Sequence, residues 1–131
     1  MSLTSFGRKN RLSGKSTFRR LFAQGATLRS HWLALTFLPN AGSHTRFGCT
    51  VRRQATKGGA CRNRLKRWLR EAFRRNQALL PSGIDLVAVV LKIPEGLTFQ
   101  RLEEEFLGLS RRLALQPKSS FRESGSTEPL P

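Results

Sequence analysis

At 131 residues the chain is sized for one domain with a modest core, and 24 Lys and Arg against 8 Asp and Glu leave it at +16. The longest stretch free of Asp, Glu, Lys and Arg, residues 30–45, holds Pro39, Asn40, Gly42 and both histidines, which excludes it as a membrane span. Arg8, Lys9 and Arg11 follow the opening residues with no apolar run behind them, so no secretory signal is read and a cytoplasmic protein is expected.

The charge is segregated. No acid precedes Glu71, so the first 70 residues carry 16 basic groups, whereas from Glu71 onward 8 basic residues meet 8 acids. A field this lopsided repels itself, and a polyanionic partner relieves that cost. Cys49 and Cys61 fit no zinc spacing and are read as small apolar residues in a reducing compartment.

In chain order, residues 1–10 read as a basic arm. Ser13 is expected to cap a helix running to about Ala23, with Leu12 as a staple residue and Gly25 closing it. Phe18, Leu21 and Phe22 fall at i, i+3 and i+4 on that helix; spacing alone favours core for the two phenylalanines over a stacking platform for bases. Residues 32–38 (WLALTFL) read as a strand with Leu33, Leu35 and Phe37 on one face and Trp32, Ala34 and Thr36 on the other. Residues 46–52 (RFGCTVR) make a second strand, expected to form a hairpin-like pair with the first. Residues 53–60, with Lys57 and Gly58-Gly59, form a loop.

The stretch 62–75, RNRLKRWLREAFRR, is two-faced. Leu65, Trp68, Leu69, Ala72 and Phe73 make one apolar helical stripe, and Asn63, Lys66, Arg67, Arg70 and Arg74 lie opposite it. One side can pack on a core while the other presents cations, which points to a nucleic acid. The glycines before it leave its start open. Residues 84–93 (IDLVAVVLKI) form the most apolar strand and are expected at the centre of the sheet. Thr98 is expected to cap a last helix with Phe99, Leu102, Phe106, Leu109 and Leu113 inward and Glu103, Glu104 and Glu105 solvated. Residues 1–116 make a single RNA-binding domain and residues 117–131 a disordered tail. The order α-β-β-(β)-α-β-α predicts an α+β fold, a two-layer α/β sandwich of a mixed sheet with helices.

Catalytic machinery is not evident. A protein nuclease needs metal-binding carboxylates, a histidine pair or an activated nucleophile. The basic half has no carboxylate, and His31 and His44 stand alone. A DNA-binding module would call for a helix-turn-helix spacing or a dimer seam, which the strand–loop–helix order does not supply, so no DNA partner is expected.

At these residues a family likeness enters. ACRNRLKRWLREAF resembles the RNR motif of the bacterial ribonuclease P protein subunit. FGCTVRRQ is similar to that family's Gly-x-Ser/Thr-Val-x-Lys-Lys strand end, and RLSGKSTFRRLFAQG to its first helix, over roughly residues 11–113 in all. The resemblance implies a left-handed βαβ crossover through the RNR helix, contrary to the usual hand. It implies a subunit of a ribonucleoprotein endonuclease that removes the 5′ leader from precursor tRNA, in which a catalytic RNA with Mg²⁺, held mainly by RNA and substrate, performs the hydrolysis. Catalytic residues in the protein are none; metal-binding residues are unknown.

Carried over residue by residue, Arg62, Asn63 and Arg64 with Lys66, Arg67 and Arg70 would contact the catalytic RNA, with Arg52 and Arg53 adding charge. Phe18, Phe22, Thr36 and Thr50 would line the leader cleft, with Trp32, of Thr36's parity, as a further stacking surface. Two departures stand out: Gln54 follows Arg53 where a family lysine is usual, and Thr36 occupies a position that can be aromatic in relatives. The alternative is a basic ribosomal or other structural RNA-binding protein without processing activity.

Overall fold

The computed structural model describes residues 11–115 apart from 13, 41 and 43. The expected basic arm, the Ser13 cap and the tail lie outside the described residues. The elements are helix α1 (Lys15–Gln24), strands β1 (Ala26–Arg29), β2 (Leu33–Pro39) and β3 (Arg46–Val51), helix α2 (Gly59–Arg75), strand β4 (Ile84–Val90) and helix α3 (Phe99–Ala114). The fold is α+β, with one mixed four-stranded sheet in the order β1-β2-β4-β3.

The hairpin falls elsewhere than expected. β2 pairs antiparallel with β1, through a turn in which Ser30 Oγ accepts from the N–H of Leu33 at 3.2 Å. It does not pair with β3, because β4 lies between them, antiparallel to β2 and parallel to β3. Apolarity decides this: Leu86, Val87 and Ala88 are fully buried, so β4 needs cover on both faces and neighbours at both edges. β1 is a four-residue edge strand with no residue fully buried, too short and too polar to announce itself. β4 also stops at Val90, short of the expected Ile93.

Each face of the sheet has its own packing. Leu33, Leu35 and Phe37 of β2, Leu86, Ala88 and Val90 of β4, and Phe47 and Val51 of β3 form the main core with α2 and α3. At its centre Phe47 stacks on Phe73 at 4.5 Å between ring centroids and meets Phe106 edge-on at 6.1 Å. On the other face a smaller cluster joins Leu12 and Leu21 to Val87, with Phe18 and Leu38 against it. α1 therefore lies across part of the sheet that α2 and α3 leave open.

α2 begins at Gly59 and buries Leu65, Leu69, Ala72 and Phe73. α1 starts after Gly14, whose φ of 99° suits only glycine well, with no side-chain cap. Thr98 caps α3 as expected, its hydroxyl accepting from the N–H of Arg101 at 3.2 Å. Glu103 departs from the solvated face assigned to it. Its carboxylate takes a hydrogen bond from Asn76 Nδ2 at 3.0 Å and faces Arg75 Nε at 3.5 Å, tying α3 to the end of α2.

Asp85 is the buried acid of the sheet, 5% exposed. Arg46 donates to both its oxygens, at 2.8 and 2.7 Å, and Asn40 Nδ2 donates to Oδ1 at 2.9 Å, so β3, β4 and the end of β2 share one carboxylate. The same hydrogen bond holds the Arg46 guanidinium above its ordinary pKa. Asp85→Ala removes the carboxylate from Arg46 and one of the two acceptors of Asn40 Nδ2, and is expected to lower stability by about 2 kcal/mol, read as a lower urea midpoint at unchanged m-value.

Candidate nucleic-acid interface

Side chains alternate across strands. On the α1 face, the register sets Thr27, Thr36, Val87 and Gly48 in one row across the sheet and Arg29, Ala34, Val89 and Thr50 in the next. α1 covers the first row. A Cβ on Gly48 would stand 2.8 Å from Phe18 Cζ and 3.3 Å from Leu12 Cβ, so the glycine is what lets the Phe18 ring lie against the sheet. Gly25 answers a similar demand where α1 turns into β1, since a Cβ there would come within 2.7 Å of the Phe37 carbonyl oxygen.

A groove of about 260 Å³ remains beside α1, lined by Arg29, Ala34 and Val89 of the second row, Thr27 and Thr36 of the first, and Phe22, Arg52 and Leu91. Phe22 is 43% exposed, a large cost for an aromatic ring unless something flat covers it. Thr36 is buried in the floor, its hydroxyl 2.8 Å from that of Thr27. Phe18 is half-buried and Phe22 open, so the two phenylalanines divide between core and groove.

Trp32 does not belong here. It is 6% exposed and packs in the main core. β2 begins only at Leu33, and the chain bends at residues 31–32, so strand alternation does not extend to Trp32. Its ring offers no open face for stacking.

Thr50 leads into a second, larger cavity of about 730 Å³, lined by Arg52, Arg53, Lys57 and Arg62 with Thr56. Arg52 is in the lining of both spaces. This cavity lies at the start of α2, whose first turn carries no acid and whose N-cap, Gly58, makes no side-chain cap. Peptide N–H groups at a helix start add positive potential to that of the four side chains. The loop is held in shape: the Arg62 guanidinium donates to the Thr56 carbonyl at 2.9 Å, and the Gly58 N–H to Thr56 Oγ1 at 3.2 Å.

Along α2, Asn63, Arg64, Arg67 and Arg70 are exposed and Lys66 is half-buried. Among the described residues the ion pairs of this helix sit in its second half, Arg74 with Glu71 and Arg75 with Glu103. No cation of the first half is in an ion pair among the described residues. Arg74 holds the Glu71 carboxyl below its ordinary range. The Cys49 thiol donates to the Lys66 carbonyl at 3.7 Å, and burial pushes its pKa up against the pull of Arg70 and Lys66. Both cysteines are free thiols.

Sequence reasoning missed Thr27 and Arg29 because β1 itself was not recognised, and it left Lys57 as an ordinary loop cation. The Lys57-Gly58-Gly59 run ahead of a basic helix was the available signal for an anion-facing helix start. Gly48→Ala is expected to push Phe18 off the sheet and cost about 1–3 kcal/mol, measured by urea unfolding with Phe18 placement followed by NMR.

The sequence matches the ribonuclease P family over residues 6–114. It is 34% identical over 113 residues to the ribonuclease P protein component of Thermotoga sp. (strain RQ2), covering 83% of this chain and 96% of the relative. The component from Azotobacter vinelandii is 35% identical over 124 residues, covering 93% and 95%. Among solved structures, the RNase P protein from Thermotoga maritima superposes with a TM-score of 0.69 at 30% identity, over 78% of this chain and 96% of that one. The Staphylococcus aureus RNase P protein shares the fold with a TM-score of 0.69 at 18% identity, over 76% and 91%. These matches favour a processing-enzyme subunit over a ribosomal or purely structural RNA-binding protein: the chain belongs to the ribonuclease P protein family.

Proposed function

We propose that this chain seats the 5′ leader of precursor tRNA in the groove beside α1 while docking a catalytic RNA with α2 and the cavity at its start. The observation that carries this reading is that Arg52 lines both an aromatic-edged groove and a four-cation cavity. A single-stranded leader offers both things those spaces want, flat rings and regularly spaced phosphates. Phe22, with Phe18 behind it, would stack leader bases over the Ala34–Val89 floor. Arg29 and Arg52 would hold the backbone that carries them. Thr50 and Arg52 would pass the strand toward Arg53, Lys57 and Arg62.

Mg²⁺ is read as held mainly by the RNA and the substrate. No three His, Cys, Asp or Glu side chains converge among the described residues, and both linings offer cations, so they do not fit a protein-held divalent ion. Hydrolysis is accordingly assigned to the RNA partner, with the fixed cations of the protein lowering the bulk Mg²⁺ it requires. No described helix is long and apolar enough to cross a membrane. The cytoplasm, where precursor tRNA and its processing RNA meet, is the compartment proposed.

The direct test is precursor cleavage with and without the cognate RNA. Cleavage is expected only with the RNA, and the protein should lower the Mg²⁺ midpoint; cleavage by protein alone would overturn the assignment. Phe22→Ala is expected to weaken holoenzyme binding of a leader-bearing precursor by about 1–3 kcal/mol, with mature tRNA affinity unchanged. Equal losses on both ligands would remove Phe22 from the leader path. Arg62→Ala combined with Arg53→Ala should lower the assembly constant and flatten its salt dependence, each lost phosphate contact changing the log–log slope by about 0.7–0.9.

A further inference from the structure

The two arginines of the Arg62–Asn63–Arg64 motif do not share a surface. Two residues apart, they point about 160° away from each other around the helix. Arg62 joins the four-cation cavity, whereas Arg64 lines a separate groove of about 380 Å³ between α2 and the turn 93–97. That groove exists because α3 meets only the later part of α2. Phe99 touches Trp68, and Glu103 reaches Arg75 and Asn76. Toward the start of α2, Cys61, Leu65 and Trp68 line this groove opposite the turn.

The lining narrows the chemistry of an occupant. Leu65, Ile93, Pro94 and Leu97 supply apolar walls. Trp68 is half-buried, its ring steadied by an edge contact with Phe99 at 6.2 Å and 68°. Arg64 brings a cation and Glu95, on the opposite wall, an exposed carboxylate. A phosphate would be repelled by Glu95, whereas the N–H edge of a base would find an acceptor in it. A flat neutral ring carried on an anionic backbone suits all of these groups together. Arg64 is flanked on the helix by the exposed Asn63 and Arg67, a surface that favours a polyanion over a peptide.

We propose that this groove receives an unstacked nucleobase of the RNA partner, its ring against Trp68, its N–H edge toward Glu95 and its phosphate at Arg64. The inference rests on the reading that α2 docks RNA, and it deepens it: the RNA grips α2 from both sides, by phosphate at Arg62 and by base at Trp68. Single-stranded and looped RNA segments are recognised through such splayed bases.

The test uses the full chain and the cognate ribonuclease P RNA. Two tryptophans report, and Trp68→Phe leaves only the buried Trp32, so the difference in fluorescence between the unaltered chain and this variant belongs to Trp68. Assembly is expected to quench that difference signal. Trp68→Leu is expected to lower the assembly constant about tenfold, with Trp68→Phe staying within about threefold, as stacking rather than bulk requires. Thermal unfolding of each free variant separates lost folding from lost contact. An unmoved Trp68 signal on assembly, or a Trp68→Leu variant that folds and assembles like the unaltered chain, leaves the groove to a peptide or to solvent and overturns the proposal alone. Absence of any RNA binding by the unaltered chain overturns the docking reading and this one together.

Discussion

The rest of the structure depends on where β4 sits. A strand this apolar on both faces takes the centre of the sheet, flanked by β2 on one side and β3 on the other. α2 must therefore span from the outer edge at β3 back to the middle, which lays it over the main core with its first turn beside the end of β3. Thr50 and Arg52 meet Arg62 for that reason. The cation cavity is a product of strand order as much as of basic composition.

A second constraint is the separation of signs. Acids appear only from Glu71 onward, and the folded chain spends several of them structurally: Asp85 on Arg46, Glu71 on Arg74, Glu103 on Arg75. The cations thus neutralised lie at the far end of β3 and the far end of α2. The first turns of α2 and the preceding loop keep theirs for the surroundings. Charge repulsion in that region is a standing cost to the free protein, and an RNA partner turns it into attraction.

Periodicity showed the three helices and the central strand because each is long and patterned: Phe99, Leu102, Phe106, Leu109 and Leu113 could hardly be anything but one face of a helix. Pairing was less legible. β2 and β3 are neighbours in sequence, and only β4's need for two partners separates them, a property that emerges from three strands considered together. β1 escaped because four residues with Thr27 and Arg29 among them carry almost no signal. Of the groove, Phe22 and Thr36 were readable and Ala34 and Val89 were not, since small residues on a floor matter through what they leave vacant. Trp32 was misassigned by extending strand alternation one residue past a bend. The opposite directions of Arg62 and Arg64 follow from helix geometry, yet their separate surroundings depend on where α3 stops covering α2.

The sheet order also sets a timetable for synthesis. β3 has no partner among the other three strands until residues 84–90 have been made, after the whole acid-free half and α2 have been synthesised. Val89 supplies part of the groove floor, and Val90 accepts the N–H of Arg52 at 2.9 Å, so the surface that would hold an RNA strand is completed by the last strand to arrive. A growing chain of this composition emerges beside the ribosome's own RNA with its charge already present and its shape still missing. The groove and the Arg52 contact take shape only when β4 closes the sheet.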